Sequence, residues 1–293
     1  MLYFNHIKGR EEVKTMKVNK SYINYLRNNQ KSENTIRTYC SHIQQMLDVV
    51  NKPENEITRL DLEDWRSTIA HLSSSTVKGK VEAVKSYFKF LKRMDIIKNN
   101  LTEDMEHPKV VNKPKEYLSE EMVDSMIAIA GIREKAMLTF LKVNGARVSE
   151  MTNLTIDQYY TMKNNNHIIN IIAKGRVYRD IIFTNNMIEA IDFYLSTRND
   201  DCPYLFASNW GNHINGNNLN QTWKRLAHKA GIPFWQNIGS HYFRMSCATS
   251  LLEKGMPVEE VRDHLGHSSI AVTNTYAKSC PANIHRKIAM YFD

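Results

Sequence analysis

The chain has 293 residues, 42% of them hydrophobic and 24% charged, which predicts packed cores and more than one average domain. Its formal net charge of +8 favours a polyanionic partner, either nucleic acid or an anionic membrane surface. A membrane-spanning segment is not expected, because no apolar run approaches the ~18 residues that a spanning helix needs.

Residues from about 16 to 106 are predicted to form helices. The stretch SENTIRTYCSHIQQMLDVV repeats its apolar residues at helical spacing, and LDLEDWRSTIAHL predicts a shorter helix. In SSSTVKGKVEAVKSYFKFLKR a serine cluster offers an N-cap for a third helix. The apolar stripe of the first helix comprises Ile36, Tyr39, Ile43, Met46, Leu47 and Val50, and that of the third comprises Val77, Val81, Val84, Phe88 and Leu91.

Four lysines of the third helix lie away from its apolar stripe: Lys78, Lys85, Lys89 and Lys92. They form either a nucleic-acid-binding face or an ordinary solvated surface. The segment that follows, EHPKVVNKPKEYLS, has two prolines, several lysines and no periodicity, so residues 107–118 are predicted to be an extended linker. Both sides of the linker carry an excess of positive charge, so both are able to contact the same polyanion.

The second block, from residue 119, is predicted to be mostly helical with one small sheet. Ser119 is a candidate N-cap, and REKAMLTFLKVNG ends at Gly145, a favoured residue at a helix C-terminus. The stretch HIINIIAKGRVYRDIIF predicts a β-hairpin with Lys174 and Gly175 at its turn. Helices resume afterwards, one beginning at Ser240 and another ending at Gly266.

The chain shows no Cys-x-x-Cys pair and no apolar leader at its start. A structural zinc site and a disulfide framework are therefore not expected, and neither is a signal peptide. The expectation is a cytoplasmic protein with reduced thiols. No Gly-rich phosphate loop and no acidic metal cluster is present, so no metal and no cofactor is expected.

Several residues of the second block carry groups suited to phosphate chemistry. His241 and Arg244 share a face near a predicted helix N-terminus, where free backbone amides also favour an anion. Arg147 follows the Gly145 break, and its planar guanidinium matches a phosphate. His267 comes directly after a helix stop, and Tyr276 lies nine residues further on. Each of these residues has an ordinary surface explanation, and the set together favours phosphoryl transfer.

The motifs NGARVSEMTNLT, AKGRVYRD, HYFRMSCATSLL and HLGHSSIAVTNTYAK, in this order and spacing, resemble the tyrosine recombinase (phage integrase) family. SENTIRTYCSHI, YLFAS and HKAGI are further landmarks, and the layout is similar to Xer-type and short transposon or phage recombinases. The resemblance implies a mainly α fold with a small β-sheet. Residues 1–106 would form an all-helical, SAM-like core-binding domain, residues 107–118 the linker, and residues 119–293 a mixed α/β catalytic domain with a C-terminal tail helix.

The resemblance also implies roles for individual residues. Tyr276 would be the nucleophile, His241 would take its proton, and Lys174 would protonate the leaving oxygen. Arg147, Arg244 and His267 would surround the scissile phosphate, with Glu150 supporting the site from behind. Candidate DNA-binding residues are Lys78, Lys85, Lys89, Lys92, Arg176 and Arg179, and the helices over residues 78–92 and 217–229 are candidates for base reading. Met245 departs from the histidine that the family often has after this arginine.

The implied partner is double-stranded DNA carrying specific recombination sites, with self-association on DNA into a tetramer and no membrane contact. The tail CPANIHRKIAMYFD places Ile284, Ile288 and Tyr291 on one helical face, which packs either on its own domain or on a neighbouring protomer. Three alternatives stay open. They are a catalytically silent DNA-binding regulator, a type IB topoisomerase-like enzyme, and peripheral attachment to anionic lipid, which would explain only the charge.

Overall fold

The computed structural model describes residues 18–109, 116–163, 167–172, 178–267 and 269–277, with the backbone alone at 271 and 275–277. The chain divides into two compact units, Met1–Lys113 and Pro114–Asp293. The first contains α1 (Lys20–Asn28), α2 (Glu33–Val50), α3 (Arg59–Ile69) and α4 (Ser74–Arg93). The second contains α5 (Glu120–Ile129), α6 (Ile132–Asn144), α7 (Val148–Thr152), α8 (Ile156–Lys163), β1 (Ile168–Ile172), β2 (Tyr178–Ile182), α9 (Asn185–Ser196), α10 (Gly216–Lys229), α11 (Ser240–Glu253), α12 (Val258–Leu265) and α13 (Ile270–Ala277).

The helices of the first unit begin where the sequence offers side-chain caps. The hydroxyl oxygen of Ser32 accepts a hydrogen bond from the Thr35 amide at the start of α2, and Ser73 does the same at the start of α4. Both contacts satisfy amides that have no partner inside the helix. At the end of α2, Asn51 adopts a left-handed conformation with φ of 50°, a role that asparagine fills more readily than most residues.

The core of the first unit centres on α4. Its predicted apolar stripe is buried from Val81 to Leu91, while Val77 is only partly covered. The buried face is wider than the stripe, because Tyr87 and Phe90 pack around the Tyr22 ring at centroid distances of 5.0 and 5.2 Å. This aromatic cluster fixes α1 against α4.

The second unit packs α5, α9 and α11 around α6. Aromatic side chains fill this core, with the Phe140 ring 5.9 Å from Phe183 and 6.1 Å from Phe206. Beside it, β1 and β2 pair antiparallel in a two-stranded sheet, in a register from Ile168 opposite Ile182 to Ile172 opposite Tyr178. The prediction of a mainly helical chain with one small sheet is confirmed. The predicted turn of the hairpin lies outside the described residues.

Two helices of this unit stop at glycine in the left-handed region. Gly145 ends α6 with φ of 49°, and Gly266 ends α12 with φ of 64°. A side chain at either position would be strained by the backbone conformation and obstructed by its neighbours. A Cβ at Gly145 would lie 2.6 Å from the Leu265 side chain, and one at Gly266 would lie 2.9 Å from Arg179. These two stops bring the ends of α6 and α12 together.

A satellite core joins α11 to α12. Met245, where the family often has histidine, is buried in this core beside Leu252 and Val261. The substitution is therefore accommodated by apolar packing. In the part of the chain that the structure describes, no helix has both the length and the apolar character needed to cross a membrane.

Candidate active site

Two buried arginines bind the adjoining ends of α6 and α12. Arg179, on β2, donates to the Asn144 carbonyl at 3.1 Å and to the His264 carbonyl at 2.9 Å. Arg244, on α11, donates from Nη1 to the Gly145 carbonyl at 2.9 Å and from Nη2 to the Leu265 carbonyl. Each guanidinium thus donates to one carbonyl at the end of α6 and to one at the end of α12. At each helix end, the carbonyls bound by the two arginines belong to consecutive residues.

The sequence favours this arrangement because a helix C-terminus exposes carbonyls that have no partner within the helix. Aligned peptide dipoles also leave partial negative charge there, which a cation offsets. The Arg179 side chain is fully buried, and its burial lowers the pKa of the guanidinium, an effect that the nearby Glu150 opposes. The helix ends therefore provide the polar surroundings that two buried cations require.

Arg147 is held at the start of α7 by Glu150. The Glu150 carboxylate accepts from the Arg147 backbone amide at 2.8 Å and from its Nη1 at 2.7 Å. Its other charged neighbour is Arg179, whose Nη2 lies 3.5 Å from Oε2. The carboxylate is 6% exposed while the Arg147 side chain is 28% exposed, so the acid is covered and the arginine reaches the surface. Glu150 thus holds Arg147 from its covered side, and its supporting role in the site stays a prediction.

His267 follows the Gly266 stop and is buried. Its Nε2 lies 3.1 Å from Nε of Arg244, and its Nδ1 lies 2.9 Å from the Thr273 hydroxyl on α13. Desolvation, followed by the positive charges of Arg244 and Arg147, lowers the pKa of His267 to about 4. The imidazole is therefore neutral at physiological pH, although it lies among cations.

His241 occupies the first turn of α11, three residues before Arg244, and is exposed. It also contributes to the lowered pKa of His267, so the two rings are within electrostatic reach. A cleft of about 760 Å³ opens beside it, lined by the first turns of α7, α10 and α11 and by polar side chains including Asn153 and Asn220. The cleft gives an extended ligand access to the face that carries His241.

Three of the predicted residues lie wholly or partly outside the described part of the chain. Lys174 and Arg176 lie outside the described residues. Tyr276 lies on the described backbone of α13, one helical turn after Thr273, but its side chain lies outside the described part. The structure therefore brings Arg147, Glu150, Arg244 and His267 into one network, with His241 at its edge. The roles of all these residues remain predictions.

Arg179 is placed differently from the expectation. It was a candidate for DNA contact, yet its side chain is fully buried and its donors are directed to Asn144 and His264. The alternation of buried and exposed residues along β2 explains this placement. Arg179 lies two residues before the buried Ile181, so both side chains point to the inner face of β2. The sequence analysis did not name Thr273 as a site residue. Its spacing of three residues from Tyr276 puts both positions on one face of a helix.

The lysines of α4 differ among themselves. Lys78, Lys89 and Lys92 are exposed, as a DNA-binding face requires. Lys85 is partly buried, and its ammonium donates to the Met105 carbonyl at 2.8 Å. The candidate face is thus composed of three exposed lysines and one that is held within the unit.

Comparison with known protein families matches both units. Residues 116–282 match the model of the phage integrase family, and residues 20–95 match its N-terminal SAM-like domain. The first match covers more than half of the chain. The chain belongs to the phage integrase family. The predicted resemblance is confirmed, and it identifies the chain as a tyrosine site-specific recombinase.

Individual relatives agree with the assignment. Tyrosine recombinase XerA of Pyrococcus horikoshii is 29% identical over 283 residues, which cover 96% of this chain and 96% of that protein. A crystal structure of XerA recombinase is 27% identical, with a TM-score of 0.53 over 92% of this chain and 96% of that one. XerH recombinase, bound to palindromic difH substrate in a post-cleavage complex, shares the fold at 19% identity. Its TM-score is 0.68 over 93% of this chain and 84% of that one.

Proposed function

We propose that this recombinase breaks and rejoins DNA strands through a covalent bond between Tyr276 and a 3′ phosphate. The observation that carries the proposal is the network of Arg147 at the N-cap of α7, Arg244 within α11 and His267 just after α12. It is a rigid, preorganised set of cationic and hydrogen-bonding groups beside the helix that bears Tyr276.

The network would act on the charge of the phosphate. Attack on a phosphodiester spreads negative charge over the non-bridging oxygens, and groups fixed in advance stabilise that charge without reorganising. Arg244 is held by two carbonyls and Arg147 by Glu150, so neither guanidinium needs to be ordered when DNA arrives. Fixed side chains of this kind are what electrostatic preorganisation requires.

The proton transfers are assigned by the family resemblance. The Tyr276 hydroxyl has an ordinary pKa near ~10, so it must lose its proton during attack, and His241 is the proposed acceptor. Lys174 would protonate the 5′ oxygen as it departs. The energy of the broken bond is retained in the phosphotyrosine link, from which a 5′ hydroxyl of another strand restores the backbone. The proposed cycle therefore consumes no ATP.

Both units are proposed to contact the DNA. The exposed lysines of α4 would bind backbone phosphates in the first unit, and the second unit would cleave. The relative XerH was captured on its difH substrate, which supports duplex DNA as the partner here. Strand exchange requires several protomers, so we expect assembly into a tetramer on paired sites. The face formed by Ile284, Ile288 and Tyr291 is the proposed contact with a neighbour, and it lies outside the described residues.

The experiment that tests this function traps the covalent intermediate. DNA fragments from around the gene would be mixed with the wild type or with Tyr276→Phe, quenched in detergent and examined for protein-linked DNA. We expect a covalent band that disappears in the variant. Tyr160→Phe is the matched control, because Tyr160 is an exposed tyrosine on α8 of the same unit, and it should retain the band.

The outcome also separates the alternatives. A band that persists in Tyr276→Phe would disprove the assignment of the nucleophile. If neither protein forms a band but both retard the fragments, a DNA-binding regulator becomes the better description. Relaxation of any supercoiled plasmid by a monomer would favour a topoisomerase-like enzyme. A recombinase instead joins strands between two specific sites.

A further inference from the structure

We infer that Thr273 is a positioning residue that decides which nitrogen of His267 carries the proton, and that its hydroxyl lets the two nitrogens exchange roles when a phosphate enters. The inference rests on the proposed function of the same site. Thr273 is fully buried, and its hydroxyl lies 2.9 Å from Nδ1 of His267. It lies one helical turn before Tyr276, so it also connects the imidazole to the helix of the proposed nucleophile.

The contacts around His267 define its protonation in the structure. A guanidinium can only donate hydrogen bonds, so Nε2 of His267 is the acceptor for the Arg244 Nε–H. A neutral imidazole has one proton, which must then reside on Nδ1. Nδ1–H consequently donates to the Thr273 hydroxyl oxygen. Before DNA binds, the imidazole therefore presents an acceptor toward Arg244.

A second proton on this ring is strongly disfavoured. His267 is buried, and the charged or titratable groups around it come from three elements: Arg244 and His241 on α11, Arg147 at the start of α7, and Arg179 on β2. Burial lowers the pKa of His267 the most, and all four of these groups lower it further. The site therefore keeps the ring neutral rather than forming an imidazolium.

A phosphate oxygen changes the requirement, because it only accepts hydrogen bonds. His267 can donate to it from Nε2 as a neutral ring only in the other tautomer, in which Nδ1 becomes an acceptor and the Arg244 Nε–H donates to the phosphate instead of to Nε2. Nδ1 releases one proton to water and Nε2 takes up one proton from water as the DNA binds, so the net charge of the ring does not change. A hydroxyl can both donate and accept. By rotating, the Thr273 O–H donates to Nδ1 and stabilises the new tautomer.

Two substitutions separate the hydroxyl from the shape of the side chain. Thr273→Val keeps the branched shape and removes the hydroxyl, whereas Thr273→Ser keeps the hydroxyl. Thr249→Val is a matched control, because Thr249 is also a buried threonine of this unit. Nitrogen NMR of the labelled histidine rings, with His267 assigned by His267→Gln, reports the tautomer near neutral pH. For the DNA-bound state, the Tyr276→Phe background prevents cleavage.

In the wild type and in Thr273→Ser we expect a proton on Nδ1 without DNA and on Nε2 with DNA. In Thr273→Val we expect a mixture of tautomers in both states. Single-turnover cleavage by Thr273→Val should fall roughly 10- to 100-fold, by analogy with the loss of a hydrogen-bonding partner that orients a metal-bound imidazole. Its Kd for DNA should stay within about 2-fold, because DNA affinity comes mainly from phosphate contacts spread over the interface.

Several results would overturn the inference. One is an unchanged tautomer in Thr273→Val, whether or not cleavage slows. Another is a Thr273→Ser variant as slow as Thr273→Val, which would indicate packing by the methyl group. A failure of the proposed function is distinguishable. Persistence of the covalent band in Tyr276→Phe would disprove the nucleophile, while the tautomer of the DNA-free protein would still test the part played by Thr273.

Discussion

The two units carry positive charge in contrasting ways. Met1–Lys113 has 20 lysines and arginines against 14 acidic residues, and Pro114–Asp293 has 19 against 17. In the first unit, the charges of interest are lysines on the exposed face of α4. In the second, they are arginines fixed by helix C-termini and by Glu150. Both units thus carry an excess of positive charge, but the placement of that charge differs between them.

The contrast follows from what each unit is proposed to do. An exposed ammonium binds a phosphate as a mobile point charge and releases counterions, which gives affinity without precise geometry. A buried guanidinium is expensive to desolvate, so it persists only where fixed acceptors compensate. It then has the precise geometry that stabilisation of a transition state requires. Loss of a fixed arginine in the second unit should therefore affect stability or catalysis, whereas loss of an exposed lysine in the first should affect DNA affinity.

The largest effect is expected for Arg179→Met. The substitution leaves the carbonyls of Asn144 and His264 without their donor and Glu150 with one cation fewer. Breaking a buried ion pair in this way costs about 3–5 kcal/mol of unfolding free energy. Urea denaturation would measure it. Arg262→Met is the control, because Arg262 is paired with Asp263 near the surface, and it should cost at most about 1 kcal/mol. Equal losses would contradict a structural role for Arg179.

The next largest effect is expected for Arg147→Ala, in catalysis. Removing one fixed donor to a developing oxyanion slows the chemical step by roughly 10²- to 10³-fold. Single-turnover cleavage would measure the rate. Arg133→Ala is the control, because Arg133 is also paired with an adjacent glutamate and is similarly covered. A rate close to that of the wild type for Arg147→Ala would exclude it from the phosphate site.

The pH dependence of the free energy of unfolding should show that His267 is held neutral in the folded protein. Folding lowers the pKa of His267 from its ordinary 6.5 to about 4, so the unfolded chain binds a proton more readily. The free energy of unfolding linked to His267 is therefore fully present above pH 6.5 and is lost as the pH falls toward 4. The loss is at most about 3 kcal/mol.

The measurement is the free energy of unfolding of the wild type and of His267→Gln across this pH range. The variant should lose less stability on acidification. His264→Gln is a necessary comparison, because burial lowers the pKa of His264 too. Identical pH profiles for the wild type and His267→Gln would show that His267 is not held neutral by its surroundings.

The smallest effect is expected on the first unit. Replacing Lys78, Lys89 and Lys92 with glutamine should flatten the plot of log affinity against log salt by up to about 2.7, since each phosphate contact contributes about 0.9. Filter binding over a salt series would measure the slope. The same change at the exposed residues Lys20, Lys31 and Lys98 removes equal charge and should flatten it less. Equal slopes would show that α4 has no special part in binding.

Much of the fold follows from sequence periodicity. The stripe of α2 and the glycine stops at Gly145 and Gly266 are where the pattern places them. The wider buried face of α4 does not follow, because Tyr87 and Phe90 pack against Tyr22 of α1. Burial of that kind depends on tertiary packing, which the periodicity of a single helix does not predict.

The site was predictable to a different degree. Motif spacing predicted roles for Arg147, Arg244 and His267, and the structure places both arginines within electrostatic reach of His267. It misjudged Arg179, because charge suggested an exposed DNA contact while strand alternation placed the residue inside. It gave no sign of Thr273, because a threonine acquires its role only from the imidazole that it contacts. A residue that acts through a neighbouring side chain can be predicted only when the position of that neighbour is known.

The two glycine stops bear on how the enzyme is able to evolve. Gly145 and Gly266 present no functional group to a substrate, yet a methyl group at either would press on Leu265 or on Arg179. A change there would displace the carbonyls to which both buried arginines are bound. Laboratory selection for a new target sequence should therefore collect substitutions on the surfaces that contact DNA and leave these glycines invariant. In a lineage of such variants, the two positions without side chains would change as rarely as the nucleophile.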